Sequence, residues 1–497
     1  MTFPSPSRRR ALLAACALAV LSTALNPVTA NAAAPAISWG RCTSLPEPAK
    51  DLECGKLAVP LDHGAPGKGT IDLALIRAKA TGERVGSMVF NFGGGGHDVL
   101  DFAARVPQYA ALRTRYDLVS FDRRGSGGSV PLSCGSDRTA DRFLALDPGI
   151  QGPAARTRFL RANAAFIRAC EKESGRIMPH AGLANVAGDL DRVRAALGQD
   201  KLTYYGLSYG TILGGLYATK FPARVGRMVL DAGVSPDLSL QDVGALLSRI
   251  SQEPYERFLA GCVKDGCELG RDAATADRTI RGWIQRLVRQ PLKVGKRTLT
   301  AAQATNVLTL AAAPTLWGEL ESALVQAIRG KGSPVLEAAD AVIGRAADGS
   351  YPPGSPFRAA LADYATQCVD LPGRSTPAEL ARQEAGLTRR SPLFGPMRSP
   401  FAYSAVCSQW PVPYQPAGQT INYTGSAPIL VITATNDAAA PPAGAARLAR
   451  KLKNAVILTY EGDSHGSYPT GGPCVTNHVE DYLLRSKVPA PDASCPK

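Results

Sequence analysis

The stretch of this chain most able to do chemistry is residues 206–210 (GLSYG), in which a serine lies between two glycines. An apolar run at 202–205 leads into it, and residues 211–221 follow with helical spacing. A strand, a tight turn and a helix in that order predict a nucleophile elbow, which exposes the serine hydroxyl above a sheet. The amino terminus of the following helix favours negative charge that develops beside it. Ser208 is therefore the candidate nucleophile.

A second Gly-x-Ser-x-Gly match occurs at residues 462–466 (GDSHG) and also follows an apolar run. The next seven residues, 467–473 (SYPTGGP), contain two prolines and two glycines where a helix would have to begin. Because these residues disfavour a helix start of the required kind, we expect no elbow at Ser464. His465 is then free for another role.

A serine hydroxyl needs a base that takes its proton, and the base needs an acid that orients it. Of the five histidines, His465 follows the last predicted strand on a glycine-rich loop. Asp437 follows the preceding strand and comes 28 residues before His465. Because elbow-type sites have the chain order serine, acid, histidine, we predict Ser208, Asp437 and His465 as the catalytic residues. Asp231, at the end of the strand after the elbow, is the competing acid.

Four successive glycines, residues 93–96, follow another apolar strand and precede a helical stretch at 99–106. Glycines let backbone amides approach a substrate closely, so this loop is a candidate for one side of an oxyanion hole. We predict that the amides of Tyr209 and Gly94 are the two donors. A flexible turn is the alternative, and a nucleotide-binding loop is disfavoured because its lysine and its spaced glycine pattern are absent.

Short strand-like runs alternate with helical stretches, which predicts an α/β fold with a mostly parallel central sheet flanked by helices. The pattern changes at residues 236–410, which are rich in Ala, Leu and Arg and mostly helical in period. Since this stretch falls between the sixth and seventh predicted strands, we expect an inserted helical cap between core segments 31–235 and 411–497. A helix is predicted at 186–197, and the predicted strands are 56–60, 70–78, 88–92, 118–121, 202–205, 228–230, 429–433 and 456–459.

Residues 1–30 have the pattern of a signal peptide, with three arginines at 8–10, an apolar segment at 11–25 and small residues before a cleavage site at 30. Fifteen apolar residues are too few to span a bilayer comfortably, and no other segment is long enough. Cys16 resembles a lipoprotein site but lies close to Arg10, which favours an ordinary cysteine of the apolar segment. We therefore expect a secreted protein that is not transmembrane, while the general and twin-arginine export routes both stay open.

Removal of Cys16 with the signal leaves ten cysteines, an even number that indicates up to five disulfides in an exported chain. Our interpretation pairs nearest neighbours, although the sequence does not fix the pairing: Cys42–Cys54, Cys134–Cys170, Cys262–Cys267, Cys368–Cys407 and Cys474–Cys495. A zinc site is disfavoured because the cysteines form no CxxC pair.

The chain carries a formal net charge of +14, three units of which belong to the signal. The basic residues are scattered singly, without a basic stripe or interleaved aromatics. This distribution indicates solubility and a loose attraction to anionic cell surfaces, and it argues against nucleic-acid binding. We expect a monomer.

Taken together, these motifs resemble the α/β-hydrolase superfamily and, more narrowly, the secreted bacterial tripeptidyl aminopeptidases related to prolyl aminopeptidases. The likeness runs from Trp39 to Cys495 and is thin across the predicted cap. The matching segments are 59–62 (VPLD), 122–127 (DRRGSG), 189–198 (DLDRVRAALG), 205–211 (YGLSYGT) and 227–231 (RMVLD).

This resemblance implies that Ser208 is the nucleophile, Asp437 the acid and His465 the base of an acyl-enzyme mechanism. It also implies that peptide substrates with free N-termini lose short peptides (tripeptides), and that neither cofactor nor metal takes part. The family usually has GGPGGSG at the oxyanion loop, whereas this chain has GGGGHDV at 93–99, without the proline and with His97 and Asp98 introduced.

An aminopeptidase must bind the substrate ammonium group, usually with cap carboxylates close to the nucleophile. The sequence offers four candidates and does not choose among them: Glu253, Glu256, Glu319 and Glu321. An esterase on the same fold is the alternative function, since one scaffold supports many chemistries. Acidic groups that face Ser208 would favour the peptidase, and an apolar tunnel would favour the esterase. A non-catalytic binding protein is disfavoured because all three predicted catalytic residues are present.

Overall fold

A computed structural model describes residues 36–43, 45, 51–146, 153–395 and 400–497. The predicted signal peptide, including Cys16, lies outside the described residues. The largest element is a ten-stranded sheet with the order β1-β2-β3-β5-β4-β6-β7-β10-β11-β12. Its strands are β1 (Ser38–Arg41), β2 (Leu52–Pro60), β3 (Thr70–Ala78), β4 (Gly86–Asn91), β5 (Tyr116–Phe121), β6 (Leu202–Leu207), β7 (Val225–Asp231), β10 (Ile429–Ala434), β11 (Ala455–Tyr460) and β12 (Ala493–Cys495).

The seven strands from β5 to β12 in this order are mutually parallel, while β1, β2 and β3 pair antiparallel at one side. All eight predicted strands occur, with ends that differ by a few residues. The short edge strands β1 and β12 were not predicted. Each is held by a single neighbouring strand, and three or four residues give too short a pattern for periodicity to detect.

Helices cover both faces of the sheet. Alternate residues of its strands therefore belong to two different apolar cores. On β6, Leu202 and Tyr204 pack on one side while Tyr205 and Leu207 pack on the other. The first core also contains residues of α3 (Asp137–Leu144), α4 (Pro153–Ser174), α5 (Leu183–Ala196), α6 (Tyr209–Lys220) and α15 (Pro442–Arg450). The second contains residues of α1 (Asp98–Arg105), α2 (Ala110–Arg113) and α16 (Gly472–Arg485). The predicted α/β architecture is confirmed.

Between β7 and β10 the chain is mostly helical and has an apolar core of its own around Tyr255, Phe258 and Trp283. A two-stranded hairpin, β8 (Leu292–Val294) with β9 (Arg297–Leu299), interrupts the helices and was not predicted. The helices are α7 (Leu240–Lys264), α8 (Ala273–Arg289), α9 (Ala301–Val307), α10 (Trp317–Ile328), α11 (Ser333–Ile343), α12 (Pro356–Asp370), α13 (Pro377–Arg390) and α14 (Pro400–Ser408).

Five disulfides join the ten cysteines outside the predicted signal, and the nearest-neighbour pairing is confirmed in each case. Two bonds lie in the insertion between β7 and β10, where Cys262 bonds to Cys267 and Cys368 to Cys407. Among the helices that the structure describes, none combines the length and the apolar character that a membrane span requires.

The DRRG segment after β5 is a structural turn, and both arginines are buried. Arg123 lies between Asp98 and Asp363, with nitrogen–oxygen distances of 3.6 and 3.5 Å. Arg124 makes a bidentate ion pair with Asp189, and both side chains are fully buried. The buried charges are thus paired, as a low-polarity interior requires.

Candidate active site

The turn between β6 and α6 places Ser208 in a left-handed backbone conformation, with φ 54° and ψ −120°. A non-glycine residue with such a backbone is strained and needs close packing that holds it. Gly206 and Gly210 supply that packing, since a Cβ on Gly206 would lie 2.5 Å from the Gly210 carbonyl oxygen. The Ser208 amide donates to the Asp231 carbonyl at the end of β7, 2.9 Å away. The predicted elbow is confirmed.

His465 and Asp437 lie on loops that follow the neighbouring strands β11 and β10. The Nδ1 atom of His465 is 2.9 Å from Oδ2 and 3.1 Å from Oδ1 of Asp437. Oδ1 also accepts hydrogen bonds from the amides of Ala439 and Ala440, and the carboxylate side chain is only 1% exposed. Because a carboxylate can only accept, it holds the proton on Nδ1 and leaves Nε2 of His465 able to act as a base.

The loop of His465 adjoins the elbow, since a Cβ on Gly466 would lie 2.6 Å from a methyl group of Leu207. No hydrogen bond joins Ser208 to His465 among the residues that the structure describes. In unliganded sites such bonds are often long and shorten only when substrate binds.

The competing acid, Asp231, makes no hydrogen bond to His465 in the described part of the chain. Its carboxylate is fully buried and accepts from the amides of Ser467 and Tyr468 and from the hydroxyl of Tyr205. Burial raises the pKa of Asp231, while these hydrogen bonds oppose that shift. Asp231 therefore fixes the chain two residues after His465 and does not orient the imidazole.

The second Gly-x-Ser-x-Gly match forms no elbow, as predicted. Ser464 lies in a loop, its hydroxyl is 3.2 Å from that of Ser467, and the next helix begins only at Gly472. This loop carries His465 instead of a nucleophile.

The glycine loop lies beside the elbow. A Cβ on Gly93 would lie 3.0 Å from the Tyr209 amide nitrogen and 3.2 Å from the Ser208 Cβ. The amide of Gly95 is occupied by a hydrogen bond to Asp363. The amides of Gly94 and Tyr209 donate to no residue that the structure describes, and both residues line one cavity with Ser208.

His97, which follows this loop, is buried and does not line the cavity. Its Nε2 lies 3.4 Å from the Ser355 carbonyl oxygen, and burial lowers its pKa. His63 lies in a turn after β2, and its ring contacts the buried Asp189 at 2.8 Å. Both histidines make structural contacts, and neither lines the cavity that contains the nucleophile.

The cavity above Ser208 has a volume of about 770 Å³ and is bounded mainly by α7, with contributions from α12, α13 and α15. Glu253 and Glu256 of α7 line it, whereas Glu319 and Glu321 of α10 do not. The amide group of Gln252 donates to Glu256 at 2.9 Å, and its oxygen accepts from Ser391 at 2.9 Å. One hydrogen bond thus restrains Glu256, which is itself exposed at the cavity wall.

Two clusters of potential metal ligands occur among the described residues, Cys474 with His478 and Cys495, and Cys262 with Cys267 and Glu321. In each cluster the two cysteines are joined in a disulfide and offer no thiolate. Both clusters are separate from the residues that line the cavity.

Comparison with known proteins identifies the family. The profile described as "alpha/beta hydrolase fold" matches residues 87–264, and that described as "TAP-like protein" matches residues 391–495. Serine protease Hip1 of Mycobacterium tuberculosis is 32% identical over 92% of this chain and 91% of its own. Tripeptidyl aminopeptidase of Streptomyces lividans is 30% identical over 94% of this chain and 88% of its own. The chain belongs to this α/β-hydrolase family.

Relatives of this hydrolase carry different activity names. Carboxylesterase B of Mycobacterium tuberculosis is 31% identical over 93% of this chain and 90% of its own, a similarity close to that of the two peptidases. The family and the serine-hydrolase class are therefore shown. The names of these relatives leave both a peptide bond and an ester bond as the bond that this enzyme cleaves.

Several polar residues of the cavity wall were not predicted from the sequence, among them Ser248, Asp363 and Gln367. The hydroxyl of Ser248 and the side-chain oxygen of Gln367 are buried without a hydrogen-bond partner among the described residues. All three lie within long helical stretches, where an isolated polar residue carries no spacing signal. They reach the cavity because α7 and α12 converge above Ser208.

We predict that Asp231→Asn destabilises the fold, because an amide group would replace one of the two acceptor oxygens that the Ser467 and Tyr468 amides need. The free energy of unfolding should fall by about 1–3 kcal/mol, the cost of a buried unsatisfied donor. Chemical denaturation measures this directly. Asp437→Asn is the matched control, since its Oδ1 can still accept from Ala439 and Ala440, and an equal loss in both variants would contradict the different roles of the two acids.

Proposed function

We propose that this hydrolase is an exported serine aminopeptidase that releases short peptides, tripeptides in particular, from free N-termini through an acyl-enzyme. The observation that carries the proposal is the presence of two glutamates of α7, Glu253 and Glu256, in the same cavity as Ser208. Carboxylates in a concave site attract a substrate ammonium group.

In this proposal Ser208 Oγ attacks the scissile carbonyl carbon while Nε2 of His465 takes the hydroxyl proton. Asp437 holds the imidazole and stabilises its charged form. The carbonyl oxygen becomes an oxyanion between the amides of Tyr209 and Gly94, which are pre-oriented donors. His465 then gives its proton to the leaving amine, the shortened polypeptide departs, and a water activated by His465 releases the tripeptide and restores Ser208.

The size of the cavity supports a substrate with a short acyl group. Its volume of about 770 Å³ falls in the usual range for small-ligand sites, roughly 300–1,000 Å³. Carboxylates at one place in the cavity and a nucleophile at another would measure a set length of peptide. Three extended residues span about 10 Å. The hydrogen bond to Glu256 suits such a measuring role, because a restrained group costs less ordering on binding.

Ester hydrolysis is the second candidate, and the apolar part of the same cavity favours it. Leu246, Leu247 and Leu387 line the wall together with the acidic groups. An apolar acyl chain would contact these leucines and would make no use of Glu253 or Glu256. The two functions therefore differ in whether the substrate needs a free ammonium group.

We also propose that residues 236–410 act as the cap and that residues 1–30 direct export. The cap proposal is supported by the cavity that contains Ser208, since more than half of the residues that line it fall within 236–410. Export is supported by the five disulfides, since such bonds persist in oxidising compartments.

Removal of the nucleophile or of the acid should abolish activity without unfolding the protein. We expect Ser208→Ala to lower kcat at least about a thousandfold, and Asp437→Asn to lower it by about ten thousandfold, through the wrong imidazole tautomer. The measurement is hydrolysis of a free tripeptide anilide and of a short acyl ester by the mature protein, with circular dichroism as the folding check. Full activity of Ser208→Ala would refute the serine mechanism.

Neutralising the cavity glutamates should affect only substrates with a free ammonium group. We expect Glu253→Gln and Glu256→Gln together to lower kcat/KM for the free tripeptide anilide by about 10- to 100-fold, the usual cost of losing a charged partner. Hydrolysis of the short acyl ester should stay within about twofold, because it does not use these groups. Glu319→Gln is the matched control, an exposed glutamate of α10 outside the cavity.

Comparison of the unmodified enzyme on the free and the N-acetylated tripeptide completes this test. Cleavage of the free peptide alone supports the aminopeptidase. Equal cleavage of both, or turnover of the ester alone, would contradict the ammonium site and favour the esterase.

A further inference from the structure

The loop after β4 has no side chains of its own that could hold it in shape. Residues 93–96 are all glycine, and three of them have left-handed backbones, with φ 89° at Gly93, 101° at Gly95 and 62° at Gly96. A run of glycines loses more conformational freedom on ordering than any other sequence. The loop contains no proline either, so its shape must come from contacts with the surrounding protein.

Neighbouring polar groups of the core hold the first part of the loop. The amide of Phe92 donates to Asp98 Oδ1 at 2.7 Å, and that of Gly93 donates to the side-chain oxygen of Asn91 at 3.3 Å. Burial raises the pKa of Asp98 to about 7, against the nearby positive charge of Arg123. These contacts fix the strand end, but they stop before Gly94.

Helix α12 of the insertion holds the second part. The amide of Gly95 donates to Asp363 Oδ2 at 2.9 Å, across 268 positions of the chain. Gly96 packs equally closely, since a Cβ there would lie 3.0 Å from the Cβ atoms of both Ala362 and Ser126. Two successive residues of α12 thus contact two successive glycines.

Arg123 fixes Asp363 in turn. Its guanidinium lies 3.5 Å from Asp363 Oδ1 and 3.6 Å from Asp98 Oδ2, so one buried cation joins a core carboxylate to a carboxylate of the insertion. The Arg123 side chain is 3% exposed and that of Asp363 is 15% exposed. Burial raises the pKa of Asp363, whereas Arg123 and the Gly95 amide favour its charged form. Both carboxylate oxygens are therefore engaged in the unliganded protein.

Within the described part of the chain, this arrangement leaves the Gly94 amide free beside the occupied amide of Gly95, and Gly94 lines the cavity together with Ser208. Asp363 occupies the Gly95 amide, and its Oδ2 would lie 3.6 Å from a Cβ on Gly94. The Gly94 amide stays unoccupied among the described contacts, beside the equally unoccupied amide of Tyr209.

We propose that Asp363 is a positioning residue which, held by Arg123, sets the glycine loop so that the Gly94 amide points at the oxyanion site. The oxyanion hole then forms only while α12 lies against the loop, and catalysis depends on the position of the insertion. This inference rests on the proposed serine mechanism but not on the choice between peptide and ester substrates.

Asp363→Asn tests the proposal. Asparagine keeps an oxygen for the Gly95 amide but turns an amide group toward Arg123. Since that group and the Arg123 guanidinium can both only donate, their contact is lost. We expect kcat to fall about 10- to 100-fold, somewhat less than the usual cost of deleting an oxyanion donor, with KM within about threefold. The loss should be equal for the free tripeptide anilide and for the acyl ester. Asp363→Ala should lose at least as much as Asp363→Asn.

A transition-state analogue separates positioning from general damage. A tripeptide boronic acid forms a tetrahedral adduct on Ser208 whose oxygen occupies the oxyanion site, so its affinity should fall by the same factor as kcat. The affinity of the free tripeptide product should be unchanged. Asp348→Asn is the matched control, because Asp348 is an exposed carboxylate of the insertion whose hydrogen bonds, among the described residues, come from Ser350. This variant should leave all three measurements unchanged.

Two outcomes would overturn the proposal. If Asp363→Asn raised KM for the free tripeptide and left ester turnover unchanged, Asp363 would be an ammonium ligand. If both kcat values and boronic acid affinity were unchanged, the loop would keep its shape without Asp363. Failure of the aminopeptidase proposal would look different, since the unmodified enzyme would then cleave the ester but not the tripeptide, and the ester would still report on Asp363.

Discussion

The strained backbone of Ser208 is the constraint on which the rest of the site depends. A left-handed conformation at a serine costs about 1–3 kcal/mol and persists only where the surroundings determine it. Here β6 is paired on both sides, by β4 and β7, and α6 starts directly after the turn. The glycines at 206 and 210 allow that approach because a side chain at either position would collide with its neighbours. The tight packing of β6 against α6 thus leaves the Ser208 hydroxyl exposed.

Buried aspartates organise the loops around this hydroxyl, and they do so in different ways. Asp437 orients His465, Asp231 fixes the chain just after it, and Asp98 anchors the start of the glycine loop. Asp370 accepts from the amide of Leu183 and approaches the hydroxyl of Tyr209, and burial raises its pKa to about 8. Each carboxylate satisfies backbone amides that the loops leave unpaired, which a buried loop requires. Only one of them contacts the imidazole.

The sequence predicted the parts of this arrangement that depend on local pattern. The elbow and the eight main strands follow from runs of apolar residues and from glycine positions, and the order of Ser208, Asp437 and His465 follows from the elbow. The sequence favoured Asp437 over Asp231 by its position before His465, and the structure adds the contact with His465, whose distance depends on loop shape. Asp363 was not predictable, since a single carboxylate inside a helix gives no sign of a partner 268 positions away. The hairpin β8–β9 was missed because three-residue strands are too short for periodicity.

The most direct test of the central claim is to label the mature protein with a fluorophosphonate and locate the adduct by peptide mass spectrometry. Such reagents phosphonylate a serine only where a base activates it and an oxyanion site receives the phosphoryl oxygen. The account predicts one adduct per molecule, on the peptide that contains Ser208, with loss of ester and peptide hydrolysis in the same proportion. An adduct on Ser464, in the other Gly-x-Ser-x-Gly match, or continued hydrolysis after full labelling of Ser208, would contradict it.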